Sequence, residues 1–210
     1  SCRCKMEVCK IIVGDFKANC YIVYNEKSNK AIVIDPGDDY FKIESELIKN
    51  NLYVCAILLT HGHFDHIGAL SEFANQKIPI YIHIDDADKL VSKNNLAYMF
   101  NRTVKICSAN MIFSGEVCDF NIGGFNVKAI HTPGHSKGSV SYLINDYLFT
   151  GDTLFRGGCG RIDFPTGSQI AMMQSLRKIK QLTFDADVYP GHGPQSKLSL
   201  EKRNNPYLSF

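Results

Sequence analysis

The apolar run Val54 to Leu59 stops abruptly at Thr60-His61-Gly62-His63-Phe64-Asp65-His66, and this junction limits the chain's architecture more than any other feature. A short, continuous apolar run suits a strand buried on both faces, so the polar cluster sits at a strand's carboxyl end. Three of the chain's seven histidines fall within the six positions 61 to 66. Taken alone, Asp65 reads as a helix N-cap whose carboxylate accepts amide hydrogens of the first turn. That reading does not explain the residues around it. His61 and His63 lie two apart, so in an extended loop their rings project to the same side, the arrangement that a single metal ion requires. Asp65 and His66, past the turn, face another direction and suit a second ion.

The same arrangement recurs further along the chain. His135 in HTPGHSKGS follows the expected strand Val127 to His131, Asp152 in FTGDTLF follows Tyr147 to Thr150, and His192 in YPGHGP follows Ala186 to Tyr189. Each of these alone reads as a hydrogen-bonded loop residue, whereas jointly they read as ligands collected at strand ends. Further strands are expected at Val8 to Val13, Cys20 to Tyr24, Ala31 to Asp35, Ile78 to Ile84 and Val140 to Ile144. Helical spacing is expected over residues 41–48, from Asp65 or His66 towards Gln76, over Asp85 to Ser92 and over Ser168 to Gln181. The stretch Lys93 to Asn126 is the least periodic. His131 and His83 also follow apolar strands and, with the ligand set complete without them, read as structural or as supports for the ligands.

Composition adds mainly exclusions. At 210 residues the chain exceeds the usual single-domain length of roughly 150, yet sandwich enzymes of this size fold as one domain, which is the expectation for residues 1–210. With 23 basic and 21 acidic residues scattered along it, the chain shows no basic stripe for nucleic acid. No apolar run approaches the ~20 residues of a membrane helix. The eight cysteines include five isolated ones, several inside apolar segments, and read as reduced thiols. Cys2, Cys4 and Cys9 lack a second ligand pair at zinc-site spacing and read as a cysteine-rich leader, with residues 1–5 preceding Met6 as leader residues. The start of the chain carries no signal-peptide pattern, so the cytoplasm is the expected location.

On these residues the chain resembles the metallo-β-lactamase-fold hydrolases. The pattern H-x-H-x-D-H is present as His61, His63, Asp65 and His66, followed in order by His135, Asp152 and His192. N-C-Y at Asn19 to Tyr21, I-D-P-G at Ile34 to Gly37 and the closing PGHGP extend the resemblance over nearly the whole chain. It implies an α/β fold, a four-layer αβ/βα sandwich with the metals at one edge of the two sheets. It also implies that His61, His63 and His135 hold one divalent ion, that Asp65, His66 and His192 hold a second, and that Asp152 bridges them. Zinc is the first expectation for the metal, with iron or manganese as alternatives, since all seven donors are nitrogen or oxygen. Two such ions with two aspartates retain a net positive charge of about two, which a bridging hydroxide lowers to about one. Such a site makes a nucleophile near neutral pH and polarises the carbonyl it attacks, with Asp65 and Asp152 as the acidic members of the machinery.

Within that group the stretch GDTLFRGGCGRIDFPTG, Gly151 to Gly167, looks most like glyoxalase II and its short bacterial relatives, which implies hydrolysis of a small acyl thioester such as S-lactoylglutathione. A thiolate leaves at a pKa near ~8.5 and needs little help from a general acid. Arg161, the cationic residue of the G-C-G-[KR] stretch, is expected either to hold an anionic part of the substrate or to pair with Asp163 and brace the loop. Two departures bear on the carrier. Only eighteen residues follow His192, so the helical domain with the family's glutathione contacts is expected to be absent, and Gly193, Pro194 and Gln195 stand where longer members place a tyrosine. The rival expectation is a persulfide dioxygenase of the same fold, binding one iron through His61, His135 and Asp152.

Overall fold

The computed structural model describes residues 6–74 and 76–209, so the expected leader with Cys2 and Cys4 lies outside the described residues. The first half builds a six-stranded sheet. Its strands are β1 (Met6–Val13), β2 (Ala18–Asn25), β3 (Lys30–Ile34), β4 (Tyr53–Leu58), β5 (Ile80–His83) and β6 (Met111–Phe113), adjacent in that order. The first two pairings are antiparallel, and β3 to β6 run parallel. The second half repeats the plan with β7 (Val117–Ile122), β8 (Phe125–His131), β9 (Val140–Ile144) and β10 (Tyr147–Gly151). A small hairpin of β11 (Leu154–Phe155) and β12 (Gly158–Cys159) follows, then β13 (Asp187–Pro190) and β14 (Ser196–Lys197). The second sheet has the order β14-β13-β10-β9-β8-β7.

Alternation along the strands explains how four layers form. On β2 and β3, Tyr21, Val23, Ile32 and Ile34 face the second sheet and meet Val127, Tyr142, Ile144 and Phe149. Their neighbours Ile22 and Val33 face the other way, towards Ile43 and Leu47 of α1 (Tyr40–Lys49) and towards Phe73. Both faces of these strands are therefore buried, as the unbroken apolar run of β4 demands. The outer face of the second sheet is covered by α4 (Gln169–Lys180), whose Met172, Leu176 and Ile179 pack on Leu148 and Val188. The Ser168 hydroxyl accepts the Ala171 amide hydrogen at 3.2 Å and fixes where α4 starts. The expected αβ/βα sandwich is the observed fold.

Several local expectations need correction. The helix expected from Asp65 or His66 to Gln76 is two short pieces, α2 (Phe64–Ile67) and α3 (Leu70–Ala74). The break lies where Ala69 donates its amide hydrogen to Pro36 O at 3.0 Å, tying this segment to the loop after β3. The segment expected as a helix over Asp85 to Ser92 is a 3₁₀ helix over Ile84–Leu90. Its tighter winding stacks side chains three apart, which brings Lys89 Nζ within 2.6 Å of Asp86 Oδ1. The aperiodic stretch 93–126 contains two further 3₁₀ turns as well as β6 and β7, and α5 (Leu198–Asn204) was not anticipated. On α1, Phe41 and Ile48 are exposed while Ile43 and Leu47 carry the packing. The six described cysteines are free thiols.

Candidate metal centre

All seven sequence-derived donors converge on one edge of the sandwich. His61 follows β4, Asp65 and His66 lie on α2, His135 follows β8, Asp152 follows β10 and His192 follows β13. His61, His63 and His135 form one cluster of donor atoms, and Asp65, His66 and His192 form another. In the first, His63 Nδ1 lies 2.9 Å from His135 Nε2. In the second, His192 Nε2 lies 3.1 Å from Asp65 Oδ2 and 3.3 Å from His66 Nε2. Asp152 stands between them, with Oδ2 3.4 Å from His135 Nε2 and 3.5 Å from His192 Nε2, and Oδ1 3.4 Å from His66 Nε2. Donors about 2.05 Å from a tetrahedral ion must lie about 3.3 Å from one another, so these separations fit metal ligands. Asp65 is inside the first turn of α2 and its carboxylate faces His192, so the N-cap reading of that residue does not describe it.

The outer hydrogen bonds decide which ring nitrogens face inward. Asp35 accepts the Thr60 hydroxyl at 2.6 Å and His66 Nδ1–H at 2.9 Å. The Thr60 hydrogen being so committed, its oxygen accepts from His61 Nδ1 at 3.0 Å. His135 Nδ1 donates to the Arg161 carbonyl at 2.7 Å. In each ring the protonated Nδ1 points away and the Nε2 lone pair points into the cluster. His61 Nε2 is buried with no hydrogen-bond partner, as is Asp152 Oδ1, a costly arrangement for polar atoms unless something electropositive satisfies them. The chemistry of these donors therefore fits metal ions.

Electrostatics point the same way. Burial and the neighbouring imidazoles push His61 well below its ordinary value and His63 down to about 2, so both rings are neutral donors. Burial opposes charge on His66 too, yet Asp65, Asp152 and Asp35 outweigh it and raise that group to about 10. A proton on His66 thus registers how strongly the carboxylates attract a cation at the second cluster. Burial resists ionisation of Asp65, but His66 and His192 hold its carboxyl far below the usual range.

Residues that the sequence reading left without a role position these donors. Asp35 sits at the end of β3 with φ +50° and orients one ligand of each cluster, directly for His66 and through Thr60 for His61. It carries the same signal, an acidic residue at a strand end, that identified Asp152. Asp86 is fully buried and accepts the Gly62 amide and the Ser136 hydroxyl, both at 2.8 Å, fastening the His61-His63 loop to the His135 loop. Asn19 donates from Nδ2 to Pro190 O and Gly193 O, both at 2.9 Å, and the Tyr21 hydroxyl donates to Pro190 O at 2.6 Å, which fixes the loop of His192. A Cβ on Gly191 would stand 2.1 Å from Asp152 Oδ1, so glycine is required there. His83 and His131 stack on each other, centroids 4.1 Å apart and 9° from parallel, instead of joining the donors. With Asp85 they form a separate group of neighbouring donor atoms, apart from the seven.

Above the donors lies a cavity of about 300 Å³ whose floor includes His63, Asp65, Asp152 and His192. Arg161 lines its rim. Its guanidinium makes two 2.6 Å hydrogen bonds to Asp163 and lies 3.9 Å from the centre of the Phe164 ring. Of the two roles expected for Arg161, the pairing with Asp163 is the one seen.

A family model described as the metallo-beta-lactamase superfamily matches residues 13–192, a span containing all seven donors. The chain is 36% identical over 203 residues to the probable metallo-hydrolase YqgX of Bacillus subtilis, with 94% of this chain and 95% of that protein covered. It is 32% identical over 206 residues to the hydroxyacylglutathione hydrolase GloC of Haemophilus influenzae, with 95% and 96% covered. Among solved structures, the BLEG-1 B3 metallo-beta-lactamase superposes with a TM-score of 0.92 at 34% identity, covering 97% of this chain and 100% of that one.

Proposed function

Because the chain belongs to the metallo-beta-lactamase superfamily, we propose that it is a binuclear metal-dependent hydrolase that cleaves a small acyl thioester. The observation that carries this reading is the convergence of seven donors, five of them on the floor of a cavity whose described lining residues include no tyrosine, serine or lysine. Bound divalent ions, with zinc first and iron or manganese as alternatives, supply water ionised near neutral pH and an electrophile for the carbonyl oxygen. The residues do the rest by position. Thr60, Asp35 and the Arg161 carbonyl hold three imidazoles with Nε2 inward, so donor geometry is set before substrate arrives. The apolar walls exclude bulk water and strengthen every charge interaction on the floor. With no hydroxyl or ammonium group among the described lining residues to protonate a leaving group, a thiolate, whose thiol has a pKa near ~8.5, is the leaving group this cavity suits best. Similarity to GloC, whose name specifies a glutathione thioester, supports the same class.

The dioxygenase alternative uses His61, His135 and Asp152 alone and gives Asp65, His66 and His192 no task. Such dioxygenases share these histidines, so the preference for the hydrolase rests on the PGHGP form of the last motif, Pro190 to Pro194, and on the similarity to GloC. The test is a metal count on purified protein beside three assays: thioester cleavage, oxygen uptake with glutathione persulfide, and opening of a chromogenic β-lactam. Two metals per chain with thioester cleavage is the expected result. Oxygen consumption with one iron and no thioester cleavage with zinc, manganese or iron would overturn it.

A further inference from the structure

We infer that the site selects its substrate by an uncharged apolar acyl group, seated in a cage of phenylalanines, and not by charges on the thiol carrier; this rests on the thioester hydrolase reading above. Four of the five phenylalanines that line the cavity, all but Phe155, form the cage, and they come from four separate places. Phe16 comes from the turn between β1 and β2, Phe64 from α2, Phe100 from the 3₁₀ turn Ala97–Phe100, and Phe164 from the loop before α4. They form one connected surface. Phe16 meets Phe64 edge-on at 4.9 Å and Phe100 at 5.1 Å, Phe64 lies 5.3 Å from Phe100, and Phe100 lies 6.0 Å from Phe164.

The cage is continuous with the donors. Phe164 stands edge-on to His63 at 5.8 Å and to His135 at 6.3 Å, so a group seated among the rings places its carbonyl directly over the floor. Phe16 remains 37% exposed, and a contiguous aromatic surface open to solvent at the mouth of a polar site is suited to an apolar ligand. A cavity of about 300 Å³ is at the small end of ligand sites, the size for a short alkyl or single-ring acyl group.

Charge argues against recognition through the carrier. A glutathione thioester brings two carboxylates, which need cations. Among the described residues lining the cavity, Arg161 alone has a permanent positive charge, and the Nε/Nη2 edge of its guanidinium is engaged by Asp163. Arg102, which lines an adjoining pocket that shares Phe16, Phe64 and Asp65, is paired with Asp15.

The test uses binding, which does not depend on turnover. Zinc-loaded protein is titrated calorimetrically with four non-cleavable thioethers: a hexyl or a 2-hydroxypropyl group, each on N-acetylcysteamine or on glutathione. The hexyl probes are expected to bind about tenfold or more tighter on either carrier, and glutathione to give no gain over N-acetylcysteamine. Phe100→Ala and Phe16→Ala should each reduce the hexyl preference several-fold, with Phe100→Leu restoring most of it and metal content unchanged in all three. Equal binding of hexyl and hydroxypropyl probes would overturn the inference. So would a more than tenfold gain from glutathione, or a preference that survives in the Phe16→Ala/Phe100→Ala double variant. If the preference holds but no thioester is cleaved, the hydrolase reading fails and the selectivity stands.

Discussion

The floor of the cavity is made of residues at the ends of β4, β8, β10 and β13 together with α2, whereas its walls are made of phenylalanines from a hairpin turn, a 3₁₀ turn and an irregular loop, with Phe64 of α2 common to both regions. On the floor, Asp35, Thr60, Asp86, Asn19 and Tyr21 fix ligands or their loops through hydrogen bonds of 2.6 to 3.0 Å. On the walls the rings touch only at van der Waals distance and Phe16 is partly in solvent. The difference teaches that chemistry and selectivity are separable here. A directional network tolerates little change, while a dispersive surface can be trimmed ring by ring. Damage to the floor should abolish function, and damage to the walls should redirect it.

The sharpest way to break that comparison is Asp152→Ala. Asp152 is the carboxylate within 3.5 Å of donors in both clusters, so its loss would remove negative charge shared by the two proposed ion positions. Metal content should fall at both positions together, and turnover should fall by about 10³-fold or more, while circular dichroism stays native. Retention of two metals and near-normal turnover would show that Asp152 does not join the clusters.

Asp35→Asn tests the support beneath the floor. The amide is isosteric and tolerates the φ of +50°, but it puts N–H groups where two oxygens accept from Thr60 and His66. Metal affinity, measured by competition with a chelator, is expected to fall about 10- to 100-fold. An unchanged affinity would mean that the ring orientations are held without Asp35.

A third measurement follows the floor without its metals. In the fold His61 and His63 are neutral, His63 with a value of about 2, while in the unfolded chain they bind protons below about 6.5. The unfolded state then carries more protons, so metal-stripped protein should lose stability as pH falls below about 6.5, by up to about 1.4 kcal/mol per pH unit for each ring. His66 runs the other way. Its folded value of about 10 exceeds the unfolded one, so its contribution is complete below about 6.5 and is lost as pH rises towards 10. Thermal melts of the stripped protein should therefore peak near pH 6 to 7, and saturating metal should flatten the profile. A stripped protein as stable at pH 4.5 as at pH 7 would contradict neutral, buried rings.

How much of this was legible beforehand follows the same division. The donors could be read because they gather in polar stretches that follow apolar strands, and strands announce themselves by run and alternation. Asp35 carried that signal without having a partner in sequence to give it a role. The walls could not be read, because Phe16, Phe100 and Phe164 sit in segments without period and meet through the packing of loops distant in sequence. The same holds for the misjudged elements. The run expected as one helix to Gln76 is broken by Ala69 bonding Pro36, a contact between residues 33 apart. The helix expected at Asp85 winds as 3₁₀ around Asp86, whose carboxylate serves Gly62 and Gly138 in two other loops.

The smallest expected effect belongs to Arg161, which lies on the border between the two regions. Its side chain is 55% exposed and its partner Asp163 63%, and solvent screening leaves an ion pair in that setting with little effect on stability. The part of Arg161 that reaches the floor is its carbonyl, which accepts from His135 and is present whatever side chain the residue carries. Arg161→Gln should therefore leave metal content unchanged, shift the melting temperature by a few degrees at most, and change kcat/KM for a neutral thioester by less than about threefold. The informative comparison is with a glutathione thioester measured in parallel. A loss of more than about tenfold in kcat/KM confined to that substrate would show the guanidinium leaving Asp163 for a substrate carboxylate. Arg161 would then be a selectivity determinant acting through charge, and the separation of a polar floor from apolar walls would end at the cavity rim.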